Sequence, residues 1–105
     1  MLELLMIRFE WDDKKAEDNW RDHKIRFEKA VEVFKDPHYF SEPDDRFEYD
    51  EERWRTIGMA KDLLLLIVAH TFRDKDDTEV IRIISARRAE PHERKEYDYR
   101  KLLGK

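Results

Sequence analysis

His70 and a set of arginines are the side chains whose types and spacing could do chemistry in this chain. Imidazole titrates near neutrality, so His70 is a candidate general acid or base. Arg73 follows three residues later, Arg82, Arg87 and Arg88 come next, and Arg53 and Arg55 lie upstream. A guanidinium presents a planar fork that pairs bidentately with phosphate and stays charged at any accessible pH. Together these residues read as proton transfer beside a bound phosphate. The same arginines also read as a solvated surface balanced by Glu90, Glu93 and Glu96, and a histidine at the end of a buried strand also reads as a core residue with its hydrogen bonds satisfied. Arg82 sits inside the apolar run Val80-Ile81-Arg82-Ile83-Ile84, so it must either pair with a carboxylate or open onto a cleft.

Missing residue types narrow the chemistry further. There is no cysteine, hence no disulfide framework, no thiolate zinc site and no cysteine nucleophile, as suits a reducing cytosol. Glycine occurs only at Gly58 and Gly104, so neither a dinucleotide fingerprint nor a phosphate-cradling P-loop can be written. Ser41 and Ser85 are the only serines, and neither sits in a nucleophile-elbow context. His92-Glu93-Arg94-Lys95-Glu96 has glutamate where a zinc protease motif needs its second histidine. No metal and no cofactor are expected.

The elements that must position these residues follow from periodicity. Ile7-Arg8-Phe9-Glu10-Trp11 alternates like a half-buried strand. Asp12 or Asp13 can cap a helix with Ala16, Trp20 and His23 on one face. Phe27, Ala30, Val31 and Phe34 make the apolar stripe of a second helix, which Asp36-Pro37 ends, and residues 35–45 read as a loop. From about Phe47 the period becomes two. Strands are expected over 53–57, with Gly58 as a bulge or turn, over 63–72 and over 78–85, the last two joined as a hairpin through Asp74 to Asp77. A final helix over 91–103 has Tyr97, Tyr99, Leu102 and Leu103 as anchors. The expected fold is α+β: one domain over 1–105, with an antiparallel sheet of about four strands, two N-terminal helices and a C-terminal helix. The apolar opening, Met1 to Ile7, is short and lacks a basic start, so it does not read as a signal peptide. Leu63 to Ala69 is far below the ~20 residues of a membrane helix. A cytoplasmic protein with no membrane association is expected.

A formal net charge of −4 argues against a phosphate-rich partner until it is divided along the chain. Residues 1–52 carry −8, residues 53–81 carry zero and residues 82–105 carry +4. The acids belong to the first half, and the last quarter is led by arginine.

Several blocks of the sequence resemble one family. They are Phe9-Glu10-Trp11-Asp12 with Lys15 and Asn19; Phe27-Glu28-Lys29-Ala30 to Val33-Phe34-Lys35-Asp36; Glu52-Arg53 to Ile57-Gly58; Val68-Ala69-His70-Thr71-Phe72-Arg73; and Arg82-Ile83-Ile84-Ser85-Ala86-Arg87-Arg88-Ala89 with Glu93-Arg94 and Tyr97. These resemble the BrnT toxins of bacterial type II toxin–antitoxin systems, whose fold is RelE-like. The resemblance implies an RNA endonuclease that cleaves without metal and arrests translation. It also implies neutralisation by a DNA-binding, BrnA-like antitoxin in a hetero-oligomer such as a two-plus-two assembly. His70, Arg73, Arg82 and Arg88 then become the catalytic candidates, and Arg53, Thr71, Arg87 and Tyr97 the RNA-binding ones. Tyr97 reads first as a packing anchor of the last helix and, under the resemblance, as a late acid or a stacking platform. The competing reading is a non-catalytic, protein-binding or co-repressor subunit whose arginine face docks an acidic segment. One departure from the family pattern is Asp22-His23-Lys24, where a basic residue, histidine and glycine are common. Without that glycine the turn is expected to avoid a positive φ, and no RNA contact is assigned to it.

Strand register decides which candidates meet. If Phe72 lies opposite Glu79, then Thr71, Arg73 and Arg82 share one face, and His70, Ile81, Ile83 and Arg87 the other. A slip of one residue would bring His70 to Arg82, because the side-chain period is two.

Overall fold

A computed structural model describes residues 6–45 and 51–104. Met1 to Leu5 of the apolar opening, and Phe47, lie outside the described residues. Strand β1 (Met6–Glu10) leads into helix α1 (Asp13–His23), whose N-cap Asp12 accepts a hydrogen bond from the Lys14 N–H at 2.9 Å. The turn that follows does take a positive φ, 58° at Lys24, contrary to expectation. There the Lys24 N–H closes on the Trp20 carbonyl, so a left-handed cap is made by a non-glycine residue. Helix α2 (Phe27–Glu32) runs into a 3-10 turn at Val33–Lys35. Strands β2 (Phe40–Pro43), β3 (Trp54–Met59), β4 (Leu65–Lys75) and β5 (Thr78–Arg88) precede helix α3 (Pro91–Leu102).

The sheet has five strands in the order β1-β5-β4-β3-β2, and β1 runs parallel to β5. This corrects the expectation of about four antiparallel strands in two respects. Residues 35–45 are not all loop, because Phe40–Pro43 adds an edge strand to β3. An edge tolerates Pro43, whose missing N–H would break a central ladder. The first strand, in turn, returns through the helices to lie beside the last one.

The two faces of the sheet are covered differently. On one, here the core face, Ile25, Phe27, Ala30 and Val33 pack on Leu66, Val68, Ile81, Ile83 and Ala86. The expected stripe of α1 is partly overturned: Trp20 and His23 are exposed, and the buried residue is Asn19. Its amide donates to the carbonyls of Ile25 and Ala86 at 2.9 Å and accepts from the Ala86 N–H at 3.0 Å, clipping α1 onto β5 beyond the end of β1. On the other, here the arginine face, Tyr97 of α3 packs on Ile57, Leu65 and Ile67. Tyr97 is the one expected anchor that is buried, while Tyr99, Leu102 and Leu103 are exposed.

Register places Phe72 opposite Ile81, two residues from the expected pairing, because the hairpin turn is tighter and Lys75 already pairs with Thr78. A slip of two preserves the faces. A bulge does not: Ala69 pairs with Ser85 but His70 with Ile83, leaving Ile84 as the extra residue. Beyond it every β5 side chain changes side relative to simple alternation.

Candidate functional site

The β4–β5 ladder sets Thr71 opposite Arg82 and Arg73 opposite Val80, so these side chains share the arginine face. The bulge adds Arg87, which pairs with Ile67; the unbroken alternation expected from sequence would have put it with His70. From β3, Arg55 lies opposite Ala69 on the same face, and Arg53 falls there by alternation. From β1, parallel pairing puts Arg8 beside Val80 and Glu10 beside Arg82. The sheet therefore collects arginines from four strands on the side that α3 covers only in part.

Each arginine in the centre of this face meets a carboxylate. Glu93, at the start of α3, holds Arg87 through both oxygens at 2.8 and 2.9 Å and lies 3.6 Å from Arg55. It also accepts from the Glu90 N–H at 2.8 Å. These contacts, the Arg87 hydrogen bonds first, outweigh burial and hold the Glu93 carboxyl down at about 2. Arg55 is further paired with Glu42 of β2. Toward β1 the pairs are open to solvent. Arg82 meets Glu51, with side chains 43% and 45% exposed, and Arg73 Nη2 reaches Glu10 Oε1 at 3.0 Å, with side chains 59% and 34% exposed. Arg82 thus resolves its place in an apolar strand by carboxylate pairing on a solvent-facing side. The face divides into a buried half, Arg55 and Arg87 locked by Glu93, and an open half, Arg73 and Arg82.

Two expected members are not brought to this face. His70 points into the core, fully buried, with its ring edge-on to Phe34 and Phe72 at 5.1 and 4.7 Å. Its Nε2 lies 2.6 Å from the Thr56 hydroxyl, which in turn lies 2.6 Å from the Ser41 hydroxyl. Burial lowers its pKa to about 4, so the ring is neutral at physiological pH. Arg88 pairs with Leu66, which places it on the opposite face from Arg82 and Arg87. Tyr97 belongs to the right side of the sheet, but its hydroxyl is spent on Asp36 at 2.6 Å, and burial together with that carboxylate raises its pKa. Asp36 loses something to burial but stays below its ordinary value through Tyr97 and the N–H groups of His38 and Met59.

Sequence reasoning missed Arg8, Glu10, Glu42 and Glu51 as members of the face, whereas it had already set Glu93 against the arginines as a balancing carboxylate. Counting by twos from Arg82 through a parallel β1 would have found Glu10, but nothing in the letters announces a parallel pairing. Among the described residues, no three His, Asp or Glu side chains converge as they would to hold a metal ion, and no helix is long and apolar enough to cross a membrane.

The family model described as "Ribonuclease toxin, BrnT, of type II toxin-antitoxin system" matches residues 11–93. A solved structure, the Brucella abortus ribonuclease toxin BrnT, is similar in fold, with a TM-score of 0.53 and 21% sequence identity over 81% of this chain and 97% of that one. No curated protein matches in sequence. An α+β chain with this mixed sheet, matched by the family model from Trp11 to Glu93, belongs to the BrnT family of ribonuclease toxins of type II toxin–antitoxin systems.

Proposed function

We propose that this chain cleaves RNA on the open half of its arginine face, with Arg73 and Arg82 as the phosphate clamp and Thr71 beside them on the strand floor. The observation that carries the reading is the in-register placement of Thr71, Arg73 and Arg82 on one side of the sheet, next to Glu10 of β1, with the two arginines open to solvent and Thr71 buried. Cleavage through a 2′-hydroxyl builds negative charge on the transferred phosphate, and fixed guanidinium groups stabilise it without reorganising. Exposed ion pairs hold such groups loosely: an exposed pair is worth about 0–1 kcal/mol, so phosphate can displace the carboxylate. Arg55 and Arg87 shape the floor from the less exposed side, while Arg53 extends the cationic surface along the line of β3. In this reading His70 and Arg88 take no part in the chemistry, and Tyr97 anchors α3.

The same reading makes the reaction independent of metal and places the whole chain, as one domain, in the cytoplasm, where RNA cleavage arrests translation. A BrnA-like antitoxin then silences it by covering this face in a hetero-oligomer such as two plus two. The test is cleavage of RNA by the purified chain in the presence of a chelator, on free RNA and in a translating bacterial extract. Arg82→Ala should lower the rate about 100-fold with the fold intact, the size expected of a lost charge-stabilising group. Retained cleavage in Arg82→Ala would sink the assignment. RNA left intact by the wild type would favour the non-catalytic docking subunit instead.

A further inference from the structure

With His70 sealed in the core, 2′-hydroxyl cleavage needs another proton acceptor on the arginine face, and this inference rests on the ribonuclease reading above. The titratable groups there are few. Glu93 and Glu42 are engaged with Arg87 and Arg55, and the Tyr97 hydroxyl donates to Asp36. Glu51 precedes β3 on an irregular segment, whereas Glu10 is held in the β1–β5 ladder. Glu10 lies beside Arg82 in the parallel register and bonds Arg73, whose side chain crosses β5 to reach it. We propose that Glu10 is the general base of the reaction: its carboxylate bonds Arg73 from the strand beside Arg82, where it meets the 2′-hydroxyl of an RNA whose phosphate the two arginines hold.

The step balances without a cofactor. Glu10 takes the 2′-hydroxyl proton, and the 2′-oxygen forms a bond to the adjacent phosphorus. The bond from phosphorus to the 5′-oxygen breaks, and that oxygen takes a proton from water. The products are a 2′,3′-cyclic phosphate and a 5′-hydroxyl. Arg73 and Arg82 carry the extra charge on the phosphorane-like transition state. The charged groups facing Glu10 are Arg8 on its own strand, Arg73 from β4 and Arg82 from β5, with Glu51 beyond Arg82. They make an electropositive surround for the carboxylate.

The experiment compares wild type, E10Q, E10D and R73A on an RNA oligonucleotide, measuring rate against pH, RNA affinity and end-group chemistry. Wild type should leave a cyclic phosphate and fail on a substrate with a 2′-deoxy sugar at the cut. E10Q should lose about 100-fold in rate, the usual contribution of general-base catalysis, with RNA binding unchanged or tighter. Its rate should also lose the acidic limb of the pH profile, which E10D keeps. R73A should lose rate yet keep that limb. An active wild type with E10Q within threefold of it, or an acidic limb that survives in E10Q, overturns the assignment of Glu10 alone. A wild type that leaves RNA intact overturns the ribonuclease reading, and Glu10 with it.

Discussion

Glu93 holds the guanidinium of Arg87 by both carboxylate oxygens, at 2.8 and 2.9 Å, from a side chain only 4% exposed. The pair ties the first turn of α3 to the last residues of β5, with Arg55 of β3 as a third member. Because the Arg87 bonds depress the Glu93 pKa to about 2 from 4.5, its contribution to stability is fully present above about pH 4.5 and is lost as pH falls toward 2. Glu93→Gln leaves two guanidinium groups without their shared anion. It should destabilise the fold by about 3 kcal/mol, the range found when one partner of a buried pair is removed. Chemical denaturation at pH 7 measures it, and a cost near zero would show that α3 is held by Tyr97 alone.

His70 gives a second, separate acid step. Its folded pKa is depressed to about 4 by burial, against 6.5 in the unfolded chain. As pH falls below 6.5 the unfolded state takes the proton first, so stability drops between pH 6.5 and 4 and levels off below. That difference corresponds to about 3 kcal/mol. His70→Gln should abolish this upper step while leaving the Glu93 step in place, and its folded fraction should still cleave RNA. Unfolding midpoints measured from pH 4 to 7 decide the first point. A rate loss in His70→Gln as large as in Arg82→Ala would return His70 to the catalytic set.

Asn19 is predicted to be worth more than its place on a highly charged helix suggests. Its side-chain amide makes three hydrogen bonds to backbone groups, two of them to Ala86. Asn19→Ala strands those buried groups, each costing about 1 kcal/mol or more, so a total loss of about 3 kcal/mol is expected. Hydrogen exchange should show the Ala86 amide losing protection in the variant before global unfolding. Unchanged exchange there would mean that water replaces the amide at no cost.

The sequence made some of this legible and left the rest hidden for identifiable reasons. Alternation located β1, β3 and β5 with their charged members, and the continuous apolar run located β4, whose first half is buried on both faces. It could not show that Phe40–Pro43 is a strand: four residues ending in proline carry no period, and pairing with Thr56 and its neighbours supplies the order. Nor could it show the bulge at Ile84, since Ile83 and Ile84 are alike in kind and either could face the core. That single residue exchanges the faces of Arg87 and Arg88, and so decides which of two adjacent arginines joins the site. His70 stood out in the sequence for its chemistry, yet it is held by the Thr56 hydroxyl and two aromatic rings. A residue's capacity for chemistry is visible in its letter, whereas its access to substrate depends on the strand partner.

Gly58 tests how tightly the core face is built. Sequence suggests a bulge or turn there, but β3 runs straight through it in register with Leu66. Its φ is not positive, so conformational freedom is not the reason for glycine at this position. The reason is Val33: a Cβ on Gly58 would lie 2.6 Å from Val33 Cγ1 and 3.0 Å from the Val33 carbonyl oxygen. The methyl of Val33 could turn aside, but the carbonyl is backbone of the 3-10 turn and moves only with Asp36, which anchors Tyr97. Gly58→Ala should therefore cost about 1–3 kcal/mol through overpacking, despite the gain expected from replacing glycine in a strand. Pairing it with Val33→Ala should recover part of that loss, since the smaller side chain vacates the space the new methyl needs. Additive losses in the double variant, measured by thermal or chemical unfolding, would show that the backbone carbonyl sets the limit.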